Sequence, residues 1–299
     1  MKQRTLKETY RFEGKGLHSG RFAHLCLKPA PPDSGIVFIR VDKGLKVRAL
    51  ADNVSLTSRS TTISENGVSV STIEHLMSAL YGLGVDNAIV ETDEVELPIL
   101  DGSARPYVEA ITSDGLLEQD AERRFIEFDS AVEYRDEKSG SWIKVTPADE
   151  PSFDVTIDFN SRVLGVQTAH WDLNTDYSGQ IAPCRTFVFF HEIQLLATLG
   201  LVKGGDVENA IVIVEKPVSD RTLGRVAKTF KQPKLSVTPE GYLSNLTLRF
   251  PDECGRHKLL DAMGDLSLVG GYMKARVEAY KPGHAINTKA AKLIREKIR

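Results

Sequence analysis

The stretch that most constrains this chain runs from Arg256 to Gly270 and reads RHKLLDAMGDLSLVG. Its apolar residues recur at intervals of three and four without a proline, which predicts an amphipathic α-helix. Because a helix turns by about 100° per residue, four ionisable side chains share roughly one quarter of its surface: His257, Lys258, Asp261 and Asp265. An imidazole and a carboxylate one turn apart can close on one divalent metal ion. The stretch therefore predicts a helix that offers metal ligands.

Two other interpretations of this helix stay open on spacing alone. His257 and Asp261 could simply pair with each other at i, i+4 on the helix surface. Cys254 stands three residues before His257, and such a C-x-x-H pair could chelate zinc. We expect Cys254 to be the weaker partner, because it precedes the predicted helix, whereas Asp261 lies on the same helical face as His257.

A second predicted helix, within Val68–Asn87, carries another histidine next to a carboxylate. A short strand leads into it through Ser71 or Thr72, either of which could act as N-cap. Glu74 and His75 lie in its first turn, where they could supply a general base and a metal ligand. The alternative is structural: Ser71 and Glu74 would form a capping box, and His75 would be a packed helix residue.

A glycine-rich turn near the start of the chain, GKGLHSG at residues 14–20, separates two predicted strands. It places His18 among three glycines. A histidine in a turn is commonly just solvated, but His18 could also reach a ligand, so we include it among the candidate substrate-binding residues.

The order of predicted elements is the same in both halves of the chain: strands, a helix with metal-type residues, a strand, a glycine-containing loop and a helix. This order predicts an α+β fold of two similar domains, each a mainly antiparallel sheet with helices on one face. The charged segment 121–124 is the best candidate for the boundary. We therefore predict an N-terminal domain at residues 1–121 and a C-terminal domain at residues 122–299.

Composition argues against several classes of protein. The chain is 41% hydrophobic and 26% charged, as in soluble globular proteins, and its net charge of -3 gives no reason to expect nucleic acid as a partner. No apolar run reaches the length of a membrane span, and the start lacks the apolar region of a signal peptide. We expect a cytoplasmic protein without stable membrane insertion. Three widely spaced cysteines argue against a disulfide framework.

Seven groups of residues together resemble the zinc-dependent UDP-3-O-acyl-N-acetylglucosamine deacetylases of lipid A biosynthesis. They follow that family's order over nearly the whole chain: RTLK with GKGLHSG, VSTIEHLMSALYGLGVDN, PILDGSA, CRTF, LVKGG, RHKLLDAMGDL and GHAIN. The resemblance implies hydrolysis of the N-acetyl group of UDP-3-O-(3-hydroxyacyl)-N-acetylglucosamine with release of acetate, the committed step of that pathway. It also implies helices packed between the two sheets, and an insertion at about residues 187–215 that walls a hydrophobic passage for the acyl chain.

The resemblance further implies a metal centre and its base. One Zn²⁺ would be held by His75, His257 and Asp261, with water in the fourth position; by ligand type Fe²⁺ would also suit. Glu74 would be the general base that activates this water. We expect a monomer whose partner is the acylated UDP-sugar, a small-molecule substrate.

The remaining implied roles concern developing charge and substrate contacts. His284 would be cationic and would stabilise the oxyanion or protonate the departing amine, and Asp265 would orient His284. Thr186 and Lys258 would act in catalysis through contacts with the substrate, with Thr186 polarising the oxyanion. Phe187 would stack in the sugar-nucleotide region.

Two rival functions can be weighed against this one. Another metallohydrolase, such as a phosphoesterase, would need ligands for a second metal, and the remaining histidines lack such a spacing: His24, His170 and His191. A catalytically inactive sugar-nucleotide-binding protein would have lost a ligand or the base, whereas every implied catalytic position is filled here.

Overall fold

Strands and helices of this protein divide into two similarly built halves, seen in a computed structural model that describes residues 1–198, 209–230, 232 and 234–298. The first half contains, in chain order, β1 (Lys2–Leu6), β2 (Tyr10–Lys15), β3 (Phe22–Pro29), β4 (Ile36–Arg40), β5 (Leu45–Arg48), β6 (Val54–Leu56), β7 (Thr62–Glu65), β8 (Val68–Ser71), α1 (Glu74–Leu83), β9 (Ala88–Thr92), α2 (Arg105–Asp114) and β10 (Leu116–Glu122).

The second half begins with five strands and ends with a helix. Its elements are β11 (Phe125–Ile126), β12 (Val132–Asp136), β13 (Ser141–Pro147), β14 (Ser152–Asp158), β15 (Val166–Asp172), α3 (Tyr177–Gln180), β16 (Phe187–Phe189), α4 (Phe190–Thr198), β17 (Ile211–Ile213), α5 (Asp220–Thr229), α6 (Glu253–Leu266), β18 (Tyr272–Met273), β19 (Ala275–Tyr280) and α7 (His284–Lys297). Short 3₁₀ turns lie at Ala51–Asn53 and Ser267–Val269.

The two main sheets have the same topology. Within the described residues, the first has the strand order β2-β3-β9-β4-β5 and the second has β12-β13-β19-β14-β15. In each, the last strand in sequence lies in the centre, antiparallel to one neighbour and parallel to the other. This confirms the predicted α+β fold with two similar, mainly antiparallel sheets. The boundary after residue 121 stays a prediction; it falls at the end of β10, which pairs with β1.

Each sheet turns one face towards the helices. In β14 the buried Phe153, Val155 and Ile157 alternate with half-buried polar residues, the pattern of a strand with one face in the core. Helices α6 and α7 pack on strands of the second sheet. One continuous apolar core includes residues of both sheets and of the helices between them.

Helices α1 and α6, one from each half, pack directly against each other. Their backbones come unusually close at Gly264, where a Cβ atom would overlap the carbonyl oxygen of Glu74. Glycine is therefore required for this crossing. Since α1 carries Glu74 and His75 and α6 carries His257 and Asp261, the crossing brings the predicted ligands of the two halves together.

Several local predictions were wrong. Helix α6 begins at Glu253, so Cys254 lies inside it rather than before it. Helix α1 begins at Glu74 without a side-chain cap, so Ser71 and Thr72 do not cap it. His284, in the GHAIN group for which a loop leading into the last helix was expected, occupies the first position of α7. Helices α3 and α5 were not anticipated.

The inserted segment is described in part. Strand β16, helix α4 and strand β17 fall within the predicted insertion at residues 187–215, and β16 pairs in parallel with β17. The LVKGG motif at residues 201–205 lies outside the described residues. In the described part of the chain, no helix is both long and apolar enough to cross a membrane.

Candidate active site

The three predicted metal ligands form one buried cluster. His75 comes from α1, and His257 and Asp261 come from α6 one turn apart. Their potential ligand atoms all lie within 4.8 Å of one another. The Oδ1 atom of Asp261 is 3.4 Å from His257 Nε2 and 3.7 Å from His75 Nε2. Each side chain is at least nine-tenths buried.

The geometry and chemistry of this cluster fit a divalent cation. Asp261 Oδ1 is buried and has no hydrogen-bond partner in the described part of the chain, an arrangement that is costly unless something else binds it. Two ligand atoms on a tetrahedral zinc lie about 3.3 Å apart when each bond is about 2.0–2.1 Å. The observed separations of 3.4 and 3.7 Å are close to this value and longer than a good hydrogen bond.

Both histidines favour the neutral form that a metal ligand needs. Burial, followed by the nearby His257, lowers the pKa of His75 to about 3. Burial also lowers the pKa of His257, despite the attraction of the Asp261 carboxylate. Burial alone would raise the pKa of Asp261, but the surrounding His257, Lys258, His284 and His75 outweigh it and lower that pKa. Two neutral imidazoles and one carboxylate form a typical catalytic zinc set.

Contacts outside the cluster fix the orientation of His257. Its Nδ1 lies 3.0 Å from the carbonyl oxygen of Cys184, so Nδ1 carries the proton and Nε2 is left for the metal. The CRTF loop that presents this carbonyl is anchored by Arg185, whose Nε donates to Glu253 Oε1 at 2.8 Å. Glu253 is the first residue of α6 and is buried. The CRTF loop is thus fixed to the helix that carries two of the predicted ligands.

Glu74 lies at the start of α1 and is not engaged in a capping box. Its Oε2 accepts the backbone N–H of Thr61 at 3.0 Å. Burial raises the pKa of Glu74 to about 7, an effect that His284 opposes and Asp265 reinforces. A carboxylate with a pKa near 7 is suited to accept a proton at neutral pH.

The half-buried His284 and the buried Asp265 form a pair beside Glu74. His284 Nδ1 lies 3.0 Å from Asp265 Oδ2, and His284 Nε2 lies 3.9 Å from Glu74 Oε1. Burial disfavours the imidazolium, but the carboxylates of Asp265 and Glu74 outweigh it and raise the pKa of His284 to about 9. A pKa raised in this way favours the cationic form of His284 at neutral pH.

A cavity of about 610 Å³ joins these groups to the predicted substrate-binding residues. Its lining includes every predicted site residue except Asp265, which lies behind His284. Lys258 donates to Asp261 Oδ2 at 2.8 Å, and its ammonium nitrogen lies 5.7 Å from the centre of the Phe187 ring. Burial alone would lower the pKa of Lys258, but the nearby carboxylates, chiefly Asp261, outweigh it and raise that pKa. Burial lowers the pKa of His18.

One wall of the cavity is apolar. Phe159 packs edge-on against Phe187 and Phe189, with ring centres 5.5 and 5.8 Å apart. The wall is completed by residues of the inserted segment and its neighbours: Val188, Ile193, Ala210, Val212 and Phe230. The described part of the insertion thus does line the cavity with apolar side chains.

None of the three remaining histidines lines the cavity or belongs to the metal-type cluster. His24 Nδ1 is 2.7 Å from Asp93 Oδ2, and His170 Nδ1 is 2.8 Å from Asp154 Oδ1; both histidines are exposed. His191 stacks on Phe189. Among the described residues the metal-type cluster found is that of His75, His257 and Asp261, which gives no support to a second metal.

Some residues at the site were missed from the sequence. Thr61 and Asn287 contact Asp265, and both are buried. Arg59 and Glu192 line the cavity and approach each other across it, with Arg59 Nη2 3.6 Å from Glu192 Oε2. The TSRSTT segment at residues 57–62 has no pattern that would single out Thr61 as a site residue. Asn287 belongs to the GHAIN group, so the sequence could have identified it as a candidate.

Comparison with known proteins gives one consistent result. A family model described as UDP-3-O-acyl N-acetylglycosamine deacetylase matches residues 3–235 and 223–296. The UDP-3-O-acyl-N-acetylglucosamine deacetylase of Myxococcus xanthus is 40% identical, over 98% of this chain and 86% of that protein. Its counterpart in Saccharophagus degradans is 41% identical, over 97% of this chain and 89% of that protein.

A longer relative is also similar to this chain. The bifunctional enzyme LpxC/FabZ of Porphyromonas gingivalis is 45% identical over 300 residues, which include 100% of this chain. The chain spans 65% of the length of that protein.

Proposed function

Because the chain belongs to the UDP-3-O-acyl N-acetylglycosamine deacetylase family, we propose that it hydrolyses the N-acetyl group of UDP-3-O-(3-hydroxyacyl)-N-acetylglucosamine and releases acetate. In this proposal it acts in the cytoplasm, in lipid A biosynthesis. The observation that carries the proposal is the unpartnered Asp261 Oδ1 beside two imidazoles, in a cavity that also holds Glu74 and His284.

His75, His257 and Asp261 would hold one divalent cation, Zn²⁺ or Fe²⁺. When bound, such an ion supplies Lewis acidity, which lowers the pKa of a water molecule and polarises a carbonyl group. Lys258 supports this ligand set, because its ammonium group donates to Asp261 Oδ2 and leaves Oδ1 for the ion. The Cys184 carbonyl accepts the Nδ1–H of His257 and so leaves Nε2 of that ring for the ion.

Glu74 would be the general base. The Thr61 amide engages Oε2, and Oε1 is directed towards His284 without forming a hydrogen bond to it. Oε1 is therefore the oxygen that accepts the proton of the attacking water. General-base catalysis of this kind contributes about 10²–10⁴-fold to the rate.

His284 would supply positive charge and a proton on the other side of the reacting group. Its Nδ1 is bound to Asp265, so Nε2–H is the donor that can face the substrate. An imidazolium in this position stabilises the negative charge that develops on the amide oxygen, or protonates the leaving amine. Thr186 and Lys258, which line the same cavity, would contact the substrate and share in this stabilisation.

Two parts of the cavity lining, the apolar wall and the region around Lys258 and His18, suit the two ends of the substrate. Phe187, close to the Lys258 ammonium, would stack in the sugar-nucleotide region, and His18 would bind the substrate from the glycine-rich turn. The apolar wall formed by the insertion would bind the acyl chain, because burial of an apolar chain there removes it from water.

Acetate release from UDP-3-O-(3-hydroxyacyl)-N-acetylglucosamine tests this function, with UDP-N-acetylglucosamine as the matched substrate that lacks the acyl chain. We expect turnover of the acylated substrate and a much lower kcat/KM for the other. If the zinc-loaded protein binds the acylated substrate but releases no acetate, the rival of a binding protein without catalysis holds instead.

A further inference from the structure

Thr61 contacts the two carboxylates that serve the proposed base and acid. It lies just before β7 and is fully buried. Its backbone N–H donates to Glu74 Oε2 at 3.0 Å, and its hydroxyl donates to Asp265 Oδ1 at 2.5 Å. Glu74 belongs to α1 and Asp265 to α6. One residue therefore joins catalytic elements of both halves.

The hydroxyl contact completes the hydrogen bonding of Asp265. Oδ2 of Asp265 lies 2.9 Å from Asn287 Nδ2 and 3.0 Å from His284 Nδ1. In the described part of the chain, Thr61 supplies the hydrogen bond to the other oxygen, Oδ1. With donors on both oxygens the carboxylate group cannot turn freely. Loss of the Thr61 hydroxyl would leave Oδ1 buried and unpaired, which favours rotation of the group.

We propose that Thr61 is a positioning residue of the deacetylase reaction: its hydroxyl holds the Asp265 carboxylate in the orientation that aligns His284, while its amide holds Glu74 with Oε1 directed at His284. This inference rests on the proposed function. The amide and the hydroxyl of one residue are only a few bonds apart. Glu74 as base and His284 as acid are therefore held at a fixed distance and orientation relative to each other. Proton transfer at both ends of one amide bond requires such an arrangement.

The effect would act through orientation rather than through charge. Several charged or titratable side chains face His284 from the elements around it: Glu74 and His75 of α1, His257, Asp261 and Asp265 of α6, and His18 of the turn between β2 and β3. A Thr61→Val substitution removes none of them. It keeps the branched shape and the backbone N–H, so the bond to Glu74 remains and only the hydroxyl is lost.

Steady-state kinetics of Thr61→Val and Thr61→Ser provide the first test. We expect kcat of Thr61→Val to fall about 10- to 100-fold, the usual effect of losing a hydrogen bond to a charged group. KM and zinc content should stay within twofold of wild type, and Thr61→Ser should recover most of the rate. The matched control is Thr62→Val at the neighbouring buried threonine, which should leave kcat unchanged. Equal kcat in Thr61→Val and wild type would overturn the proposal.

A double-mutant cycle asks whether Thr61 acts through Asp265. If it does, adding Thr61→Val to Asp265→Asn should produce little further loss, because the carboxylate it orients is already gone. Fully multiplicative losses in the double variant would show that Thr61 acts independently of Asp265, and the proposal would be wrong.

Crystal structures of the zinc-loaded wild type, Thr61→Val and Thr61→Ser give a measurement that does not depend on turnover. We expect the Asp265 carboxylate to be rotated or in two orientations in Thr61→Val, with His284 displaced, and to be unchanged in Thr61→Ser. Identical Asp265 and His284 positions in all three would contradict the proposal. Should the wild type release no acetate, the proposed function would fail, while these structures would still decide whether Thr61 orients the pair.

Discussion

At the scale of single residues, the site depends on which atom of each side chain is already bonded. Asp261 uses Oδ2 for Lys258, and its Oδ1 has no hydrogen-bond partner among the described residues. Glu74 uses Oε2 for Thr61. His257 uses Nδ1 for a backbone carbonyl, and His284 uses Nδ1 for Asp265. The remaining atoms belong to groups that line one cavity. This division separates metal binding from proton transfer and can be tested one side chain at a time.

Glu74→Gln should abolish the base and preserve the metal site. The amide can still accept the Thr61 N–H through its oxygen, but it cannot take a proton. We expect kcat to fall by about 10²–10⁴-fold with the zinc content of the purified protein unchanged. Turnover close to that of wild type would mean that another group is the base.

Asp261→Ala should empty the metal site. It removes the carboxylate that joins the two imidazoles, so the zinc content measured by elemental analysis should fall well below one ion per chain. Cys254→Ser is the matched control, because Cys254 lies on the same helix but outside the cluster, and it should retain the metal. Full zinc in Asp261→Ala, with loss in Cys254→Ser, would restore the C-x-x-H interpretation.

Asp265→Asn should change the pH dependence of kcat. In the proposed mechanism His284 acts as a cation, so activity should be present below its pKa and be lost as the pH rises through it. Among the charges that raise the pKa of His284 to about 9 against the effect of burial, the Asp265 carboxylate has the largest effect. A neutral amide at position 265 should therefore lower the pKa of His284 and move the alkaline limb of the kcat–pH profile to lower pH.

The control for that experiment is Asp154→Asn, which alters a similar but exposed histidine–aspartate pair with His170. Its pH profile should coincide with that of wild type. An Asp265→Asn profile with an unmoved alkaline limb would show that His284 is not the group that titrates there.

At the scale of secondary-structure elements, the crossing of α1 and α6 brings the three proposed ligands together. Gly264→Ala should push the helices apart, because the added Cβ overlaps the Glu74 carbonyl. We expect a loss of at least about 1–3 kcal/mol in the free energy of unfolding, together with weaker zinc binding. The measurement is denaturant unfolding of the metal-free and the zinc-loaded protein.

Gly224→Ala is the matched control within another helix. Position 224 lies in α5, and among the described residues no heavy atom outside the helix's own backbone and the neighbouring residues would meet the added Cβ within 4 Å. This change should be neutral or stabilising by up to about 1 kcal/mol. Similar unfolding curves for both variants would mean that the close approach at Gly264 is not needed.

Periodicity predicted the two ligand helices correctly, but tertiary contacts decide where they begin. Ser71 remains in β8, where its N–H donates to Val95, and Thr72 has a positive φ of 59° with its hydroxyl bonded to Glu96. These bonds come from residues more than twenty positions away, so a local rule for helix capping could not anticipate them. The same holds for Thr61, whose partner Asp265 is 204 residues away.

At the scale of the whole molecule, the two halves contain main sheets of the same topology. Each half contributes one helix, α1 or α6, to a shared site. The repeated order of elements was visible in the sequence, and so was the pairing of His257 with Asp261. The apolar wall could be predicted only in outline, because Phe159 joins Phe187 and Phe189 through the packing of segments that are distant in the chain. The fold class therefore followed from pattern, and the contacts across the halves required the structure.

The measurement that tests the account most directly is acetate release from UDP-3-O-(3-hydroxyacyl)-N-acetylglucosamine by the protein as purified, after chelation, and after one equivalent of zinc is restored. We expect activity to disappear with the metal and to return with it, and Asp261→Ala to show no such return. Turnover that persists unchanged in the fully chelated protein would contradict a metal site at His75, His257 and Asp261. A zinc-loaded, folded protein that releases no acetate would contradict the proposed reaction itself.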